Sequence, residues 1–266
     1  MLSRFDRSLR AALAHIASMP RPAEIEYVAN MSRVLNVAPH VVEHYLTCKP
    51  FCDPARATYL MDIAQLIHFL PVPPARVLDL GCGSGWTSEI IARCGYEVLG
   101  VDVAPAMIEI ATKRLDPDLT LAFRVADYER PCGFGEFDAA VLYDALHHAE
   151  DEGLVIANAF RALRAGGRFL SIEPGVGHSV SPPTLDVVAK FGTNEKDMPY
   201  EHQARMLTAA GFTDVRQFLR LSQLPLEDIA KESSMLRQQQ HVKALFDGSR
   251  NGLTSIIVAI KGADAA

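Results

Sequence analysis

The stretch RVLDLGCGSGW, from Arg76 to Trp86, limits what this chain can fold into more than any other. Val77, Leu78 and Leu80 form a short apolar run of the kind that becomes a buried strand. Gly81, Gly83 and Gly85 then allow a sharp turn and a close approach to a ligand, because glycine has no Cβ to exclude a positive φ or block access. From Trp86 to Arg93 the apolar spacing becomes helical. A strand, a glycine turn and a helix in succession aim helix N-terminal amides at a polar or negatively charged group of a small molecule.

Downstream, strands and helices alternate. EVLGVD (97–102), LAFRV (121–125), FDAAVLY (137–143), RFLSIE (168–173), TDVRQFLRL (213–221) and SIIVAIKG (255–262) read as six further strands. Between them, Pro105 opens a helix through Met107, Ile110 and Ala111, a second runs from Leu154 to Leu163 and ends at Gly166 and Gly167, and a third covers 200–210. A last helical stretch contains Leu226, Ile229, Leu236, Val242 and Leu245. Continuous apolar strands separated by helices predict an α/β fold: a seven-stranded, mostly parallel sheet with helices on both faces. Residues 1–72 have helical spacing broken by prolines and no strand partner, which predicts an N-terminal helical cap on a core spanning 73–266. Asp53 and Pro54 read as the N-cap and first turn of its last helix. The segment 175–199 is too long for an ordinary strand-to-helix connection, so it reads as a functional insertion on the substrate side.

The formal charge of −6 argues against nucleic-acid binding, which relies on a basic surface. No stretch approaches the roughly 20 apolar residues needed to cross a membrane. Five cysteines without framework spacing suit a reducing cytoplasm. The first 22 residues carry four arginines against the single acid Asp6, faintly like a targeting peptide, but Leu9, Leu13 and Ile16 on one face fit an amphipathic cap helix better.

A dinucleotide turn needs GxGxxG, and the position of its third glycine holds Trp86. Asp79, two residues before the first glycine, would repel phosphates and attract a cation. Together with VLDLGCGSG, the segments VLGVDVAPAMIEIA, VADY, FDAAVLYDALHH and LRAGGRFLSIEP follow in order, and in this the chain resembles the class I S-adenosylmethionine-dependent methyltransferases. That resemblance implies a Rossmann-like sheet and S-adenosyl-L-methionine as the methyl donor. It assigns Asp102 to the ribose hydroxyls, Val103 and Met107 to the adenine, and Asp127, in the turn shared with Tyr128, to its exocyclic amine. It brings Gly81, Cys82, Gly83 and Gly85 beneath the methionyl part, Asp79 near its ammonium group, and Tyr143 and Asp144 beside the sulfonium and the acceptor.

Methyl transfer is an in-line displacement that chiefly demands alignment, and a base is needed only if the acceptor must lose a proton. His147 and His148 are the candidate catalytic residues for that step, with packing or cofactor contact as the alternative. No metal is expected, because Glu173 is followed by Pro174 rather than by the amide residue of metal-dependent catechol methyltransferases. A small-molecule acceptor is expected between the cap and the insertion, with Tyr45, Phe51, Tyr59, His178, Phe191, Asp197 and Tyr200 as wall candidates. The expected function is methyl transfer to oxygen or nitrogen of a small molecule. A catalytically silent sensor or scaffold is the alternative, and a nicotinamide-dependent oxidoreductase is disfavoured by Trp86. Calorimetry is expected to show S-adenosylmethionine binding that is lost in Asp102→Ala, and unchanged affinity in that variant would sink the ribose assignment.

Overall fold

The computed structural model describes residues 22–131, 133–223, 232–247 and 255–262. The expected helix around Leu9, Leu13 and Ile16, together with Cys132, Leu226 and Ile229, lies outside the described residues, as do the side chains of Val242 and Leu245. The strands are β1 (Arg76–Leu80), β2 (Glu97–Asp102), β3 (Leu121–Val125), β4 (Phe137–Tyr143), β5 (Leu163–Glu173), β6 (Phe212–Leu219) and β7 (Ser255–Lys261). They form a seven-stranded sheet in the order β3-β2-β1-β4-β5-β7-β6. β1 to β5 are parallel, while β7 runs antiparallel to both β5 and β6. The chain winds outward from β1 through β2 to β3, then restarts at β4 on the other side. The carboxyl ends of β1 and β4 therefore flank the topological switch point, where open α/β sheets bind ligands.

Helices cover both faces: α4 (Trp86–Arg93), α5 (Pro105–Thr112), α6 (Glu152–Ala162) and α8 (Tyr200–Ala210) connect strands, and α9 (Glu232–Asp247) precedes β7. Strand alternation sorts β4 between two cores. Ala140 and Leu142 join Phe137, Leu146, Ile156 and Leu207 on one face, while Ala139, Val141 and Tyr143 join Ile63, Leu66, Trp86 and Ile91 on the other. A third cluster of Met31, Val42, Leu46 and Ile110 binds the helices α1 (Pro22–Leu35) and α2 (Pro39–Cys48) to α5. The insertion folds into α7 (Pro182–Phe191), N-capped by Ser181 and closed by Gly192 at φ 74°. Phe191 at its end lies 4.8 Å from Tyr27 of α1, so the insertion and α1 meet.

Several local expectations shift. α3 spans Arg56–Phe69 with Ala55 as its N-cap. Asp53 instead accepts the Tyr45 hydroxyl and the Ala55 amide, closing the turn ahead of the helix. β5 starts at Leu163, paired with Phe137, and a register shift follows, so Gly166 and Gly167 lie within the irregular start of the strand rather than after a helix. β6 ends at Leu219, because Arg220 turns inward to Asp62, which also accepts the hydroxyls of Tyr143 and Ser222.

One buried cation ties the N-terminal helices to the glycine turn. Arg114, just past α5, donates to the carbonyls of Ser84 (2.6 Å), Leu46 (2.8 Å) and Lys49 (2.9 Å) and pairs with Glu89 at 2.8 Å. The carbonyls of Leu46 and Lys49 lie at the C-terminal end of α2, where helix carbonyls lack intrahelical partners and favour a cation. Arg114→Ala would strand these groups in the interior, and the variant is expected to lose about 3 kcal/mol in urea unfolding. A loss below about 1 kcal/mol would show that the clamp is dispensable.

Candidate functional site

The glycine turn is shaped by backbone demands that the sequence meets at each step. Gly81, Gly83 and Gly85 have φ of 75°, 53° and 75°. The amides of Gly81 and Cys82 both donate to the Val101 carbonyl, at 2.9 and 3.0 Å, which folds the turn over the end of β2. A Cβ on Gly81 would sit 2.6 Å from Cβ of Ala145, and one on Gly85 would strike the Phe123 ring at 2.6 Å. At Gly83 a Cβ would meet nothing within 4 Å, so this glycine borders open space. Asp102 holds the arrangement with both oxygens, accepting the Gly83 amide and the Ala104 amide at 2.9 Å each.

That open space is a cavity of about 580 Å³ at the switch point, within the 300–1,000 Å³ range usual for small-molecule sites. Gly81, Gly83, Asp102, Val103, Met107, Tyr128, Asp144, His147 and His148 all line it. Asp144 has φ 49°, a left-handed conformation uncommon outside glycine, and its amide donates to the Ile172 carbonyl at 2.9 Å. The other expected site residues stand back from the wall. Asp79 is buried and accepts the hydroxyls of Thr87 and Ser88, both at 2.6 Å, so it fastens the start of α4 to β1 instead of facing a ligand ammonium group. Burial pushes its carboxyl above the usual range, against the pull of the two hydroxyls. Cys82 is buried in the turn, Gly85 packs on Phe123, and Asp127 is buried, accepting the Glu129 amide at 2.9 Å.

Tyr143 departs furthest from expectation. The pleat turns it into the second core, where its ring meets Trp86 at 5.5 Å edge-on and its hydroxyl donates to Asp62 at 2.8 Å. Trp86 is buried against Tyr143 and Tyr59, filling the place where a dinucleotide turn carries its third glycine. Of the expected acceptor walls, only Tyr59 and His178 reach the cavity. Tyr45 serves Asp53, Phe51 faces solvent, Phe191 packs on Tyr27, Asp197 accepts the Gly177 and Ser179 amides, and the Tyr200 hydroxyl donates to Val215.

The two histidines occupy opposite electrostatic settings. Glu173, at the end of β5 and 2% exposed, accepts the amides of Ala145, Leu146 and His147, and its Oε2 lies 2.7 Å from His147 Nδ1. Glu195 approaches the other nitrogen of that ring at 3.5 Å. Burial opposes charge on His147, yet the two carboxylates prevail and hold its pKa at about 10, an imidazolium at neutral pH. This disfavours the expected role of His147 as a base. Burial and the neighbouring His147 push His148 down to about 4, so it is neutral. Its Nδ1 lies 2.7 Å from the Asn194 carbonyl, which can only accept, so Nδ1 carries the proton and Nε2 the lone pair. Glu195 is itself held down at about 2, where burial is outweighed by hydrogen bonds from His147 and His178 and by the His147 charge.

Several wall residues escape sequence reasoning. Lys49 lines the cavity with its ammonium over the Tyr59 and Trp86 rings, at 4.7 and 5.7 Å, and burial lowers its pKa. Glu24, Tyr27, Thr193 and Glu195 complete the wall from α1 and the insertion. Their only sequence signal is membership of the cap and of the 175–199 segment, since neither region carries a spaced motif.

The methyltransferase domain family model matches residues 78–171. Ubiquinone biosynthesis O-methyltransferase of Xanthomonas oryzae pv. oryzae is 30% identical over 197 residues, spanning 72% of this chain and 78% of its own length. Magnesium-protoporphyrin O-methyltransferase of Rhodobacter capsulatus is 42% identical over 85 residues, 30% of this chain and 38% of its own. Among solved structures, phosphoethanolamine N-methyltransferase 2 of Haemonchus contortus, in complex with S-adenosyl-L-methionine, shares the fold with a TM-score of 0.59. It is 18% identical and aligned over 87% of this chain and 59% of that one. No helix among the described residues is long and apolar enough to cross a membrane. With the glycine turn at the switch point and a relative matched over most of both lengths, the chain belongs to the class I S-adenosylmethionine-dependent methyltransferases and methylates a small molecule.

Proposed function

We propose that the chain is an O-methyltransferase of a planar, hydroxylated small molecule and works in the cytoplasm. The observation that carries the oxygen assignment is the likeness to two relatives named as O-methyltransferases, joined to a neutral imidazole on the cavity wall. When bound, S-adenosylmethionine supplies an activated methyl group. Asp102 would hold its ribose hydroxyls, Val103 and Met107 its adenine, and the space above Gly83 its methionyl chain, with the Lys49 ammonium opposite the carboxylate. Asp79, Cys82, Gly85 and Asp127 would support these contacts from behind the wall rather than make them all directly.

The acceptor would lie between Tyr27, Tyr59 and Tyr128, whose rings suit a flat partner. Its hydroxyl would give its proton to Nε2 of His148 as the oxygen attacks, and His147, held as a cation by Glu173 and Glu195, would stabilise the developing oxyanion. Helices α1 and α2 with α7 would act as a lid, which is the role we assign to the N-terminal cap and the insertion.

Incubation of the protein with S-adenosylmethionine and a panel of phenols, catechols and hydroquinones, read by mass spectrometry, is expected to give an O-methylated product. His148→Gln is expected to lower kcat by about 100-fold with little change in the affinity for S-adenosylmethionine. Undiminished kcat would remove His148 as the base, and methylation confined to amines would overturn the oxygen assignment. Failure of the protein to bind S-adenosylmethionine at all would favour a silent scaffold.

A further inference from the structure

His147, His178 and Glu195 come together where the turn after β4 meets the insertion. Their ligand-capable atoms all lie within 4.8 Å of one another. Nε2 of His178 is 2.9 Å and Nε2 of His147 is 3.5 Å from Glu195 Oε2. Ligands on a tetrahedral ion with bonds of about 2.0 Å are separated by about 3.3 Å, so the two imidazoles need to move inward by roughly 1 Å at most.

The outer nitrogens of both rings are already engaged. His147 Nδ1 faces the Glu173 carboxylate at 2.7 Å, and His178 Nδ1 faces the Thr184 hydroxyl at 3.4 Å. This pattern of a ring nitrogen anchored by an outer partner, with the other nitrogen turned inward, is what fixes the tautomer of metal-bound histidines. Glu195 is held in turn by the Thr193 hydroxyl at 3.3 Å.

Departing from the sequence-based expectation of no metal, we propose that His147, His178 and Glu195 form a binding site for one divalent transition-metal ion, with Zn²⁺ the best match. Two imidazole nitrogens and one carboxylate suit zinc, whereas magnesium and calcium prefer all-oxygen ligands. Metal binding requires the proton between His147 Nε2 and Glu195 to leave, so in the loaded protein the dication, rather than the His147 imidazolium, would neutralise the carboxylates and face the acceptor oxygen. All three ligands line the cavity, so a remaining coordination position is available to an oxygen of the acceptor. The ion would also cross-link the turn after β4 to the insertion, making lid closure dependent on loading.

The test is metal content, which needs no known acceptor and stands apart from the proposed O-methylation. Untagged protein is stripped with EDTA, titrated with ZnCl2 by calorimetry, desalted and assayed for bound zinc by mass spectrometry. The expected result is one equivalent of zinc and a rise in Tm of roughly 5 °C. His178→Ala and Glu195→Gln are expected to bind zinc at least 10-fold more weakly, their metal-free forms being compared with the metal-free wild type for cooperative unfolding. Less than stoichiometric zinc on the wild type overturns the proposal whatever the variants do. Variants that fold and keep wild-type affinity overturn the ligand assignment, and O-methylation that persists in EDTA would leave the proposed reaction intact while denying the metal a part in it.

Discussion

The site depends on one buried carboxylate. Glu173 ends β5 with no exposure to speak of, and a buried charge is tolerated only when its lone pairs are taken up. Here three successive amides of the turn after β4 and one imidazole do so. Those bonds hold the short helix Leu146–His148 in place, orient the His147 ring, and keep Ala145 close enough to Gly81 that no side chain fits there. The ends of β1, β4 and β5 are thereby fixed relative to one another. A cavity lined by a positive-φ turn on one side and by paired histidines on the other follows from that constraint.

The second organising interaction is the clamp made by Arg114. Arg114 collects carbonyls from the C-terminal end of α2 and from Ser84 in the glycine turn, so the helices ahead of the sheet and the glycine turn share one cation. Lys49, whose carbonyl Arg114 holds, sends its own ammonium into the cavity. The insertion closes the opposite side through Phe191 on Tyr27, the Asn194 amide on Glu24 and the Asn194 carbonyl on His148. Wall residues thus come from well-separated stretches of chain, from Glu24 and Tyr27 in α1 to Thr193 and Glu195 in the insertion.

Much of the core was legible because its patterns are local. A strand buried on both faces is a continuous apolar run, a helix starts where Pro105 presets φ, and glycines spaced as in GCGSG need only their own backbone geometry. The role expected for Tyr143 illustrates the limit. It stands one residue from Asp144, yet the pleat sends it to the far side of the sheet, where Asp62 and Trp86 receive it. Asp79 is a similar case, since its acidity suggested a ligand contact and only the fold places the hydroxyls of Thr87 and Ser88 on its oxygen.

The amino-acid sequence by itself determined the α/β architecture, the position of the glycine turn and the acid at Asp102, because each rests on periodicity or on residues within one strand-turn-helix unit. The tertiary structure alone decided which of two adjacent histidines is charged, that Lys49 reaches the cavity, and that His178 and Glu195 meet His147. Those outcomes depend on distances and burial between residues far apart in the chain, such as His147 and Glu195, and on carboxylates whose effect falls off with separation. No spacing along the chain encodes them.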